Sequence, residues 1–226
     1  MPEPDPPSLH LTRLERQEEA PGQDRLSLVT AAGEIQGRLH PASAGDAAVL
    51  WVFGAGGGLG GPAGGLYTRL GQRLRPRGVT SLELAYRHPG RLGPCVQDVV
   101  VGLAWLAGEG RGRVVLVGHS FGGAVVITAG AASKAVVAVA ALSSQTRGTD
   151  AVASLAPRPL LVIHGLDDEV LAATCGQEIH RRARPPKELI LYPGCRHGLD
   201  ECREALDRDL LVWLERVFGL GAAPEG

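Results

Sequence analysis

The sequence predicts an α/β fold: a three-layer sandwich of about eight mostly parallel strands with helices on both faces. Three observations carry this. Short apolar runs without polar alternation, such as residues 47–53 (AAVLWVF), belong to strands buried on both faces. These runs alternate with segments of helical period, as parallel strands joined by crossover helices require. Glycine-rich stretches stand at several of the junctions, where the chain must turn sharply from one element to the next.

In chain order, residues 26–30 and 35–40 read as an antiparallel hairpin around the Ala-Gly-Glu turn at 32–34. Residues 47–53 form a strand that runs into a glycine-rich loop, and Leu66, Leu70 and Leu74 give residues 66–74 a helical stripe. The alternation then repeats. Strands are expected at 79–86, 113–117, 136–142, 160–164 and 188–192, and helices at 95–106, 121–132, 172–183 and 201–218. The last helix carries Leu206, Leu210, Trp213, Leu214 and Val217 on one side. A single domain is expected over 9–218 between flexible tails at 1–8 and 219–226. Only residues 143–159 separate two neighbouring strands at the point where a cap domain could be inserted, which leaves no room for one.

Composition narrows the function classes. With 44% hydrophobic and 21% charged residues, the chain of 226 can bury an ordinary core. Its 23 basic and 24 acidic residues create no excess field for nucleic acid or an anionic membrane, so neither is expected as a partner. Residues 1–7 lack the basic and apolar regions of a secretory leader, and a cytoplasmic protein is expected. The four cysteines are expected to be free thiols. No CxxC or HxxxH pair organises Cys175, His180, Cys195, His197 and Cys202 into a metal site, so neither metal nor cofactor is expected.

In sheets of this type the chemistry gathers at the carboxyl ends of the strands. Gly118-His119-Ser120-Phe121-Gly122 follows a strand and opens a helix, which is the setting of a nucleophile elbow. Asp168, in His164-Gly165-Leu166-Asp167-Asp168 after the strand at 160–164, is the candidate acid and is preferred to Asp167. His197 follows the last strand and completes the chain order serine, acid, histidine. The amides of Ala55 and Phe121 are the candidate oxyanion donors, with Gly54, Gly56 and His119 as candidate substrate contacts. Arg87, Arg91 and Arg147 stand on loops near the expected site and could receive an anionic substrate. A rival reading takes Gly56-x-Gly58-x-x-Gly61 as a dinucleotide fingerprint with Glu83 as ribose ligand, but it leaves Ser120, Asp168 and His197 unexplained.

These motifs resemble those of the α/β-hydrolase superfamily over nearly the whole chain, from about Leu26 to Phe218. The loop Phe53-Gly54-Ala55-Gly56-Gly57-Gly58 is similar to the His-Gly-Ala-Gly-Gly loop of small, cap-less dienelactone-hydrolase-like proteins, with Phe53 in place of the usual histidine. Dienelactone hydrolases proper use a cysteine nucleophile, whereas the elbow here holds serine. The resemblance implies a serine esterase acting on a small acyl substrate through Ser120, His197 and Asp168. The alternative is a non-catalytic hydrolase-fold binding module. Oligomeric state is left open.

Overall fold

A computed structural model describes residues 9–221. It contains one nine-stranded sheet: β1 (Leu11–Ala20), β2 (Gln23–Thr30), β3 (Gly33–His40), β4 (Ala47–Val52), β5 (Val79–Ala85), β6 (Arg113–His119), β7 (Val136–Leu142), β8 (Leu160–Gly165) and β9 (Lys187–Tyr192). Their spatial order is β1-β2-β3-β5-β4-β6-β7-β8-β9. The pairs β1–β2, β2–β3 and β3–β5 are antiparallel, and all others are parallel.

The helices are α1 (Pro62–Leu74), α2 (Leu92–Gly108), α3 (Phe121–Ala132), α4 (Thr174–Arg182) and α5 (Arg203–Phe218). In β4 successive side chains serve opposite layers. Val49 and Trp51 pack with Leu66, Leu70 and Leu74 of α1 and with Leu210 and Leu214 of α5. Ala48, Leu50 and Val52 face the other core, with Val99 and Leu106 of α2 and Val125 of α3. All six residues of β4 are buried, which is why its sequence shows no polar alternation.

The expected helices recur with shifted ends. α2 begins at Leu92, before the predicted Cys95, and α4 is shorter than the predicted 172–183. In α1 the residues Ala63, Gly64 and Gly65 have left-handed backbone angles, so the regular helix starts at Leu66, where the leucine stripe starts.

The predicted eight strands become nine because β1 was not legible. Its ten residues are exposed, so no buried face imposes an alternating pattern on them. It is held by the ladder to β2 and by ion pairs such as Arg16–Asp24 and Arg25–Glu19. The predicted tail at 1–8 lies outside the described residues, as do 222–226 of the other tail. Gly219, at φ 69°, and Leu220 form the C-cap of α5 through amide bonds to Arg216 and Glu215.

The cysteine expectation needs correction. Cys195 and Cys202 are joined in a disulfide, and only Cys95 and Cys175 are free. The bridge joins two ends of one loop, a pairing that a search for a whole-domain disulfide framework does not detect.

The connection between β7 and β8 contains only a 3-10 turn at Asp150–Leu155, so no cap covers the carboxyl ends of the strands. No helix among the described residues is long and apolar enough to cross a membrane.

Candidate active site

β6 ends at His119 and α3 starts at Phe121, leaving Ser120 alone in the turn at φ 58°, ψ −119°. That is an unfavourable conformation for a residue with a β-carbon, and such strain concentrates at functional sites. The flanking glycines make the turn possible. A β-carbon on Gly118 would lie 2.1 Å from the Gly122 carbonyl oxygen, and one on Gly122 would lie 2.4 Å from that of Phe53. The Ser120 amide bonds the carbonyl of Leu142 at 2.8 Å, tying the elbow to the neighbouring strand.

Asp168 follows β8 and is buried, whereas Asp167 is exposed. One oxygen, Oδ1, accepts the amides of Val170 at 2.9 Å and Leu171 at 2.7 Å. The other, Oδ2, lies 2.8 Å from His197 Nδ1 and 3.1 Å from His164 Nε2. Burial pushes this carboxyl's pKa up, but hydrogen bonds from Leu171, His197 and Val170 outweigh it and hold the group below the usual range. His164 was read from sequence only as the end of a buried strand. Its spacing of four from Asp168 across the Gly165 turn was the available signal, and the meaning of that spacing depends on the turn bringing the two side chains together.

His197 stands in the loop after β9. Its Nδ1 meets Asp168, and its Nε2 lies 3.1 Å from Ser120 Oγ. The loop is fixed at several points. The Cys195–Cys202 disulfide brackets it, the Asp167 amide bonds the Cys195 carbonyl, and the Ala63 amide bonds the Gly198 carbonyl at 2.8 Å. The sequence order thus corresponds to one hydrogen-bonded chain from Ser120 through His197 to Asp168.

His119, expected among the substrate contacts, is only 4% exposed and already has a protein partner. Its Nε2 donates to the His197 carbonyl at 2.9 Å, and the two rings lie 4.9 Å apart. Since a carbonyl only accepts, Nε2 carries the proton and Nδ1 is bare. Burial is the main cause of the fall in its pKa to about 4, with a smaller contribution from His197, and the bond to the His197 carbonyl opposes the fall.

Acid stability depends on this low value. The unfolded chain takes up a proton near the ordinary value of 6.5, which the folded chain refuses until about 4. Stability therefore falls as pH drops through that window, by about 2 kcal/mol between roughly pH 7 and pH 5. His119→Gln, which retains a donor for the carbonyl but does not titrate, is expected to remove this loss. Urea unfolding of both proteins at the two pH values measures it, and equal losses would show that His119 is not the source.

Ala55 and Phe121 line one cavity of about 310 Å³ together with Gly90, Leu92, Gln145, Arg147 and Gly148. Phe121 is the first residue of α3, where a backbone N–H has no intrahelical acceptor. A β-carbon on Gly54 would make ordinary contact with Ser120 Cβ at 3.5 Å, while one on Gly56 would meet nothing within 4 Å. Of the loop arginines, Arg147 lines the cavity, but Arg87 is committed elsewhere. Its side chain is 4% exposed and paired with the fully buried Asp98, so it cannot serve an anionic substrate as the sequence suggested. Glu83 is likewise unavailable as a ribose ligand, being buried and bonded to Gly60 and Thr68.

The family model for the dienelactone hydrolase family matches residues 67–209. No curated protein sequence gives a significant match. Among solved structures, the fold is similar to a dienelactone hydrolase from Anabaena variabilis, with TM-score 0.73 and 17% identity over 90% of this chain and 98% of that one. The esterase domain of a Rhodothermus marinus protein is similar with TM-score 0.71 and 18% identity, over 86% and 98% of the two chains. Est1E from Butyrivibrio proteoclasticus gives TM-score 0.73 and 14% identity, over 86% and 99%.

Proposed function

Since this chain belongs to the dienelactone hydrolase family, we propose that it is a serine hydrolase that cleaves a small carboxylic ester through an acyl-enzyme. The observation that carries this reading is the His197 ring, placed between Ser120 Oγ at 3.1 Å and the Asp168 carboxylate at 2.8 Å.

In the proposed reaction Ser120 Oγ attacks the ester carbonyl carbon while its proton passes to His197 Nε2. Asp168, held ionised by its amide donors, keeps the proton of His197 on Nδ1 and stabilises the imidazolium. The carbonyl oxygen becomes an oxyanion that accepts from the amides of Phe121 and Ala55. The C–O bond to the alcohol then breaks, and His197 Nε2–H protonates the leaving oxygen. Water, deprotonated by the same nitrogen, attacks the acyl carbon, and the bond from that carbon to Oγ breaks as His197 Nε2–H returns its proton to Oγ, which releases the acid and regenerates Ser120. Each of these steps is assigned to a group of this chain.

The cavity beside Ala55 and Phe121 would take the acyl group, and Gly54 and Gly56 would let the substrate approach the backbone. His119 would act on the substrate through its hold on His197. With no cap above the strand ends and a cavity of about 310 Å³, small acyl groups are the expected substrates. A panel of p-nitrophenyl esters tests this. Turnover should be highest for acetate to butyrate and fall for decanoate, whereas absence of turnover above buffer with every ester would overturn the reading.

A further inference from the structure

Glu83 is a buried carboxylate for which the proposed reaction has no role. It stands near the end of β5, 1% exposed. Its Oε2 accepts the backbone amide of Gly60 at 2.5 Å, and its Oε1 accepts the Thr68 hydroxyl at 2.8 Å. Arg38 Nη1 lies 3.5 Å from Oε2 and donates to Thr68 Oγ1 at 3.1 Å, and His40 Nε2 lies 3.8 Å from Oε1. Burying a carboxylate is costly unless donors converge on it, and a neutral acceptor would bond Gly60 less strongly.

Gly60 closes the loop that carries Ala55. The start of that loop is fixed by Tyr67 and Tyr86, whose hydroxyls donate to the carbonyls of Val52 and Phe53. A turn bond from the Gly57 amide to the Gly54 carbonyl follows, and the Tyr67 amide bonds the Gly60 carbonyl. Between these points, β-carbons on Gly56 and Gly58 would meet nothing within 4 Å. Among the described residues, Glu83 is the only side chain that hydrogen-bonds to the backbone of residues 54–61. A backbone this rich in glycine has few conformational restraints of its own, so an anchor at its far end has a large effect on where Ala55 stands.

We propose that Glu83 is a positioning residue for the oxyanion-binding loop, fixing Gly60 and with it the placement of the Ala55 amide over Ser120. The proposal rests on the serine hydrolase reading for its effect on rate, but not for its effect on the loop. Glu83→Gln keeps the shape and changes one carboxylate oxygen into an N–H donor. The Gly60 amide can only donate, so the glutamine oxygen stays on it while the NH₂ turns to Thr68 Oγ1, and what the substitution removes is the negative charge that strengthens the hold on Gly60.

The experiment measures kcat and KM for p-nitrophenyl acetate, thermal unfolding, and amide hydrogen exchange over residues 54–61 in both proteins. Glu83→Gln is expected to lower kcat about tenfold or more with KM nearly unchanged, as displaced oxyanion donors act on the transition state. Exchange in the loop should rise while β5 stays protected. A kcat within about twofold of the parent, or unchanged exchange in the loop, overturns the proposal. If Glu83→Gln does not fold, Thr68→Val decides instead, since it loosens Oε1 without removing the carboxylate. A smaller fall in kcat at constant KM supports the proposal, and no change overturns it. If the parent protein turns over no ester, the serine hydrolase reading fails, and the exchange measurement still decides whether Glu83 holds the loop.

Discussion

Replacing Ser120 with alanine is expected to reduce ester turnover by about a millionfold without unfolding the protein. The size of the effect follows from the proposed covalent route. Without Oγ no acyl-enzyme forms, and the residual rate comes from binding and the oxyanion amides acting on water. The expectation of a folded variant follows from the local structure. Alanine has the same β-carbon at φ 58°, so it meets the same strain as serine and adds no clash. The lost hydroxyl leaves His197 Nε2 without that partner, but the His197 side chain is 17% exposed and water can replace it. Steady-state rates with p-nitrophenyl acetate, together with thermal melts, check both parts. Turnover near the parent rate in a folded Ser120→Ala would remove Ser120 as nucleophile.

Asp168→Asn is expected to cost about 10⁴-fold in kcat, and the reason lies in which donors surround the carboxylate. The asparagine side chain would carry one acceptor oxygen and one NH₂. Oδ1 of the aspartate faces the amides of Val170 and Leu171, which cannot give up their protons. Oδ2 faces the rings of His197 and His164. The asparagine oxygen must therefore occupy the Oδ1 position, and its NH₂ turns toward the histidines. His197 can accept from it only by moving its own proton from Nδ1 to Nε2. That places a donor, not a base, against Ser120 Oγ, and the proton of the nucleophile has nowhere to go. Asp168→Asn distinguishes the two candidate acids, because it is Asp168 whose carboxylate bonds the His197 ring, whereas Asp167 is exposed and its amide bonds the Cys195 carbonyl. Full activity in Asp168→Asn would redirect the assignment to Asp167.

What could be read from the sequence was whatever local rules and chain order determine. Gly118, Gly122 and Ser120 were recognisable because a strand, a sharp turn and a helix leave a spacing signature. The buried strands were recognisable because two-sided burial removes polar alternation, as in β4. β1 left no such signature, since neither of its faces is buried. The contacts of His164 and Glu83 and the Cys195–Cys202 bridge were not legible for a different reason. Each meets a partner that only the fold brings close: His164 Nε2 the Leu171 carbonyl and Asp168 Oδ2, Glu83 of β5 the amide of Gly60, and Cys195 the cysteine at the other end of the His197 loop. Arg87 shows the same limit in reverse, because its pairing with the buried Asp98 removes it from the substrate role its loop position suggested.

In the proposed reaction Ser120 is a nucleophile activated by His197 in a site that stabilises a tetrahedral oxyanion. A fluorophosphonate reports on all of these together, because it reacts only with an activated serine and leaves a tetrahedral adduct in the oxyanion site. Intact-mass measurement of the folded protein after treatment, followed by peptide mapping, is the most direct test. One adduct per chain is expected, located on Ser120 and absent from Ser120→Ala. A folded protein that stays unmodified, or carries the adduct on another residue, would contradict the proposed reaction.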